Sequence, residues 1–232
     1  MTGRLIDIIH KLRVPKVILR FIMMNFLDLN TIANLLLTIK EMNVLDNYSK
    51  DLLTKAKNGF SWNCQYGHLT VAQWLYSHSE VNIHAIDERA FKSSCEYGHL
   101  AVSKWLYSLG GVNIHAGNEY AFHFSCVNNH LTVAQWLYSL GEVNIHADNE
   151  YAFTMSCANG HLTVAKWLYS LDIINIHADN EYAFRCCCNN GHLTVAKWLY
   201  SLDSVNIHAH NGYAFRYANG NTLDWLNTLT KN

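Results

Sequence analysis

The chain has 232 residues, half of them hydrophobic and 12% aromatic, with a formal net charge of −1; this content supports a packed core and excludes wholesale disorder. Residues 1–54 carry 7 basic and 5 acidic side chains and the remainder 10 and 13, so neither part is a polycation and nucleic acid is not expected as a partner. Seven cysteines with no recognisable secretory leader suggest a reducing compartment, and the cytoplasm is the expected location.

In chain order, the first apolar run is "VILRFIMMNFL" (Val17 to Leu27). Arg20 interrupts it, it is shorter than a bilayer span, and no small-residue cleavage site follows, so no membrane anchor is expected. Pro15, the single proline, suits the first turn of a helix whose apolar face is Ile18, Leu19, Ile22 and Phe26. "DLNT" (Asp28 to Thr31) supplies a break and a cap before the next stripe at Ile32, Leu35 and Leu36. Residues 1–54 are therefore read as three short helices.

From residue 55 to 232 the sequence repeats with a period of 31: Trp74, Trp105, Trp136, Trp167 and Trp198 are in step, as are Phe60, Phe91, Phe122, Phe153 and Phe184. Within one unit, Val164, Ala165, Trp167, Leu168 and Leu171 mark one face of a helix. A shorter stripe of Ala152, Phe153 and Cys157 precedes it, and Asn159-Gly160 breaks the chain between them. Each unit is thus predicted to be two short antiparallel helices and a connector, marked by the tetrads "NIHA" that begin at Asn82, Asn113, Asn144, Asn175 and Asn206. A pair this small cannot bury both its apolar faces, so about six units must stack and share a core, with the tryptophans inside it. The last unit, "YAFRYANGNTLDWLNTL" (Tyr213 to Leu229), shortens the step from phenylalanine to tryptophan and turns Asp224, Asn227 and Thr228 outward, as a C-terminal cap would.

Fourteen histidines and seven cysteines raise the question of zinc. Cys64, Cys95, Cys126, Cys157 and Cys188 share one phase of the repeat, and helices stacked about 8–10 Å apart hold such residues beyond disulfide reach, which needs α-carbons within about 7 Å. Cys186, Cys187 and Cys188 are consecutive and point to different faces of a helix. No metal, cofactor or catalytic constellation is expected: GxSxG, phosphate-loop and HExxH motifs are absent from the sequence.

"SCANGHLTVAKWL" (Ser156 to Leu168) resembles the "AAxxGHxxVVxxLL" half of the ankyrin repeat, and "VNIHA" resembles the family's "DVNA" at the joint between units. The resemblance covers residues 55–232 and implies an all-α solenoid that binds another protein on a concave face made by the first helix of each pair. The chain departs from the pattern at "TPLH", which becomes "YAFH" at Tyr120 to His123, and in a unit about two residues shorter than usual. Its Trp-rich and Asn-rich version is similar to the ankyrin arrays of giant viruses that infect amoebae, which implies a viral effector in host cytoplasm.

Aligned against one another, the units vary at few positions. Ser61, Lys92, His123, Thr154 and Arg185 share one phase; Trp62, Ser93, Phe124, Met155 and Cys186 the next; Gln65, Glu96, Val127, Ala158 and Asn189 a third. Trp62, Lys92, Glu96, His123, Phe124, Met155 and Arg185 are the expected partner contacts, since large apolar groups on a surface call for a partner. Asp87, Arg89, Asn118, Asp148, Asn149, Asp179 and Asn180 are the expected polar rim at the finger tips.

Residues 14–45 resemble an F-box, with Val14-Pro15 for its Leu-Pro and Leu27-Asp28 for its Leu-Asp. The resemblance implies docking on the adaptor of a cullin-RING ubiquitin ligase through Pro15, Ile18, Leu19, Ile22 and Leu27. Val14, Val17 and Met42 stand where the motif has leucine, an acid and tryptophan. A cap over the first unit's apolar edge is the alternative reading of the same helices, and the two are compatible.

Overall fold

The computed structural model describes residues 59–78, 81–218 and 220–230. The three expected N-terminal helices and the F-box-like contacts Pro15, Ile18, Leu19, Ile22 and Leu27 lie outside the described residues.

Among the described residues there are twelve helices and no strand. They form six pairs: α1 Phe60–Gln65 and α2 Leu69–His78, α3 Ala85–Glu96 and α4 Leu100–Ser108, α5 Ala116–Val127 and α6 Leu131–Ser139, α7 Ala147–Ala158 and α8 Leu162–Leu171, α9 Ala178–Asn189 and α10 Leu193–Leu202, α11 Ala209–Tyr217 and α12 Gly220–Leu229. None is long and apolar enough to cross a membrane. The chain divides into two compact units, one holding Ala101–Gly110 with the residues up to Ser94, the other holding Cys95–Leu100 with the residues from Gly111 onward.

In the second unit the first helices α5, α7, α9 and α11 pack in succession, and α6, α8 and α10 each pack on their own partner. Helix α8 shows the local reason: Val164, Ala165 and Leu168 are buried while Lys166, Tyr169 and Ser170 are exposed, the alternation of a helix with one apolar stripe. The preceding helix ends at Gly160 (φ +78), where His161 N–H donates to the Ser156 carbonyl and closes a left-handed terminus. A β-carbon at Gly160 would lie 2.6 Å from the ring of His192, so the "GH" pair is a contact between neighbouring units as well as a turn. Asn159 Nδ2 donates to the Val127 carbonyl and Asn190 Nδ2 to that of Ala158, again across units.

The largest fully buried side chains are Phe91, Phe122, Phe153 and Phe184, the in-phase leucines from Leu75 to Leu199, and Leu226. The tryptophans differ from expectation. Trp74 is buried, whereas Trp105, Trp136, Trp167, Trp198 and Trp225 are half-buried. Each of four indoles lies against the preceding pair instead of filling its own. In the first unit Trp105 meets Phe60 at 6.3 Å and Tyr76 edge-on at 5.9 Å. In the second, Trp167 meets Phe122 and Tyr138, and Trp198 meets Phe153 and Tyr169, in the same way. Trp225 comes early in the period yet meets Phe184 and Tyr200 alike, because α11 stops at Tyr217 and Ala218 is extended. Asp224, Asn227 and Thr228 are exposed. Trp167→Ala is expected to cost about 2–3 kcal/mol, at the low end for a large truncation because the ring is partly solvated; chemical denaturation measures it.

Candidate protein-binding face and the joints beneath it

Each first helix from α3 onward opens with three consecutive residues in the left-handed region: 86–88, 117–119, 148–150, 179–181 and 210–212. For residues other than glycine this conformation costs about 1–2 kcal/mol apiece, so something must hold it. In each joint the Asn side chain accepts from the His N–H two residues on, as Asn144 does from His146. The His ring then meets the Glu carboxylate at the end of the left-handed turn: His84–Glu88, His115–Glu119, His146–Glu150 and His177–Glu181 lie at 2.7–2.9 Å. The same Glu oxygen accepts a backbone N–H from the following joint, from Asn144 to Glu119, Asn175 to Glu150 and Asn206 to Glu181. These carboxylates are only 5–6% exposed. At the last turn Gly212 replaces the glutamate, and His208 instead stacks on Phe215 at 5.2 Å. Sequence reasoning missed this clamp. Its signal was Glu88, Glu119, Glu150 and Glu181 recurring four residues after each "NIHA" histidine, but acids beside Asp and Asn read as a solvated loop.

Two joints carry a second acid. Asp172 Oδ2 lies 3.5 Å from Nε2 of His146, and Asp203 Oδ2 lies 3.6 Å from Nε2 of His177. A neutral imidazole has one N–H and can satisfy one of these carboxylates; the imidazolium satisfies both. The hydrogen bonds to Glu150 and Glu181 accordingly hold both histidines above their ordinary pKa. Burial lowers His130 and His161, which stand just before the second helices and bond to the Glu96 and Val127 backbone. The signs oppose. His146 and His177 contribute stability that is complete below about pH 6.5 and is lost as pH rises through their raised values. His130 and His161 contribute stability present above that point and lost in acid. Nuclear magnetic resonance (NMR) titration is expected to place His146 above His161, with Asp172→Asn lowering His146 alone.

Above the joints, the first helices present a row of tyrosines. In the second unit Tyr120, Tyr151, Tyr182 and Tyr213 recur along α5, α7, α9 and α11, all half-buried. Phe124 stacks on Tyr120 at 4.2 Å and approaches Tyr151 at 6.2 Å. Tyr120 donates to Glu96 Oε2 at 3.0 Å, and burial with that carboxylate pushes its hydroxyl up to about 12. Met155 is half-buried in the same row, and Tyr217 is 50% exposed. In the first unit Trp62, 44% exposed, lies against Tyr66, and half-buried Lys92 donates to Asp87 at 2.7 Å.

Two expected contacts are placed elsewhere. His123 is 3% exposed and lies against Tyr151, and Arg185 is 7% exposed. A position that varies between units can face inward: Arg185 donates to its own turn and His123 lies against the next unit's tyrosine, so these two are internal supports. Thr154, in the same phase, is also buried, and Val127 and Ala158 are buried in the third variable phase. Asp87, Arg89, Asn118, Asp148, Asn149, Asp179 and Asn180 are all exposed. Asn118 donates to Asp148 at 2.6 Å and so ties adjacent tips.

The in-phase cysteines Cys64, Cys95, Cys126, Cys157 and Cys188 are buried free thiols. Burial pushes Cys64 up to about 12 and raises Cys126 and Cys157 as well, which makes them poor nucleophiles. Among the described residues no three His, Cys, Asp or Glu side chains converge as metal ligands.

Residues 122–211 match the family model for ankyrin repeats, in three copies. No curated protein matches the sequence. One solved structure that matches is that of the predatory endopeptidase Bd0816 from Bdellovibrio bacteriovorus in complex with the immunity protein Bd3460. The match to one chain of it has a TM-score of 0.58 at 20% identity, over 73% of this chain and 97% of that one. At this identity the likeness concerns the fold. Helix pairs at constant spacing, glycine-histidine contacts between neighbours and the family match over residues 122–211 agree: the described chain has the all-α fold of ankyrin repeats.

Proposed function

We propose that the chain is a non-catalytic scaffold that holds a partner protein on the first-helix face between Glu96 and Tyr217. The observation that supports this reading is the half-exposed row of Tyr120, Phe124, Tyr151, Met155 and Tyr182, bordered by exposed Asn118, Asp148, Asn149, Asp179 and Asn180. Apolar anchors within a polar border are what protein interfaces concentrate. The ankyrin repeats point to protein–protein interaction, and the solved neighbour is a complex of two proteins. Phe124→Ala is expected to leave the circular-dichroism melt nearly unchanged while weakening capture of the partner at least tenfold, in the range of an interface anchor. An unchanged dissociation constant would remove this face from consideration.

A narrower form of the proposal makes the chain an adaptor, with residues 14–45 docked on a ubiquitin-ligase adaptor subunit. It rests on the sequence pattern of Pro15, Ile18, Leu19, Ile22 and Leu27. Pull-down with that subunit tests it: Leu19→Asp is expected to abolish capture, and no capture by the intact chain refutes it. The proposed setting is the cytoplasm, as host cytoplasm for a viral effector; immunofluorescence of the expressed chain tests the location.

A further inference from the structure

We propose that the turn at residues 148–150, with the rings of Tyr151 and Tyr182, receives an arginine side chain of the partner protein; this rests on the binding face proposed above. Three of the five left-handed turns meet a basic side chain from their own first helix. Lys92 donates to the Asp87 carboxylate at 2.7 Å. Arg216 donates to the His210 carbonyl at 3.0 Å. Arg185 donates through Nε to the Asn180 carbonyl at 2.8 Å and through Nη2 to that of Asp179 at 3.0 Å. Its guanidinium lies 5.6 Å from the Tyr182 centroid and 5.2 Å from that of Tyr213, so this part of the molecule contains one complete guanidinium receptor.

One unit earlier the same parts recur. Tyr151 and Tyr182 stand where Tyr182 and Tyr213 do, and Asp148 and Asn149 stand where Asp179 and Asn180 do. The difference is Thr154, which stands in the place of Arg185 and gives its hydroxyl to the Tyr151 carbonyl at 3.2 Å. Its side chain is too short to reach the turn. Thr154 is buried, while Asp148 and Asn149 are exposed. His123 of the preceding helix approaches Asp148 Oδ2 only to 4.0 Å, and its burial favours the neutral ring.

The surrounding charge selects the ligand. On the first helices and connectors between Gly111 and Asn190 the exposed ionic groups are Glu142, Asp148, Asp172 and Asp179, all acidic. A cation is therefore attracted. Arginine fits better than lysine because its flat fork serves two carbonyls while stacking on rings, as Arg185 does.

The test uses the full chain labelled for NMR and two probes, N-acetyl-arginine amide and its uncharged isostere N-acetyl-citrulline amide. Saturable shifts at Asn149, Tyr151 and Tyr182 with the arginine probe, at least tenfold weaker with citrulline, are expected. Thr154→Arg copies the adjacent unit and fills the receptor from inside, so it should abolish the response; Tyr182→Leu, which removes one wall, should weaken it several-fold. Equal response to both probes, shifts centred elsewhere, or undiminished binding by both variants would overturn the proposal. A partner whose capture survives Thr154→Arg but is lost with Phe124→Ala would retain the binding face and refute the arginine receptor.

Discussion

Phe153→Ala is expected to destabilise the array by about 3–5 kcal/mol, the range for removing a large aromatic group from a packed interior. Phe153 is fully buried, and its ring lies 6.2 Å from Trp198 of the next pair. One truncation therefore opens a cavity in α7 and removes the surface against which α10 rests. In a stacked array most contacts are with nearest neighbours, so the damage should fall on α7 to α10 first. Hydrogen exchange resolves this: amides of α7, α9 and α10 should lose protection before those of α1 and α2. A uniform loss along the chain, or a change below about 1 kcal/mol, would contradict the account of the core.

Glu150→Ala should cost about 2–4 kcal/mol, as for loss of a buried charged hydrogen-bonding group. The substitution deprives the Asn175 N–H and His146 Nδ1 of their common acceptor. Glu150 also sits at φ +64, where alanine keeps the strain and glycine does not. Glu150→Gly should therefore be less damaging than Glu150→Ala by about 1 kcal/mol, which separates the clamp from the conformational cost. The fifth turn already pairs glycine at residue 212 with a histidine that has no glutamate to meet. Equal stability of wild type and Glu150→Ala in denaturant would show that the carboxylate holds nothing.

The helices were legible because their evidence is periodic: apolar residues at 3.6-residue spacing, punctuated by Asn-Gly, repeat at constant intervals. Which aromatic ring lay deepest was less legible. Phe153 and Trp167 recur with the same regularity, and only packing shows the phenylalanine enclosed and the indole bridging to a neighbour. Exposure at variable positions was misjudged at His123 and Arg185, because variation between units reveals tolerance and says nothing of direction. The left-handed turns were half visible. Asp and Asn tolerate that conformation through local hydrogen bonding, whereas Glu119, Glu150 and Glu181 are held there by a tertiary bond to the next joint. The tyrosine row is written in every "YAF", but a constant residue in a repeat looks structural whether or not it also faces solvent.

The hydrogen bonds at the joints have a direction. Glu119, Glu150 and Glu181 each accept from a donor in the succeeding joint, and Asn159 and Asn190 each donate back to a carbonyl at the end of the preceding pair's first helix. Excising an internal block of 31 residues in register brings equivalent donors and acceptors together, whereas a cut out of register strands them. A whole module can thus be removed without stranding a joint, and the first-helix face then shortens by one equal step.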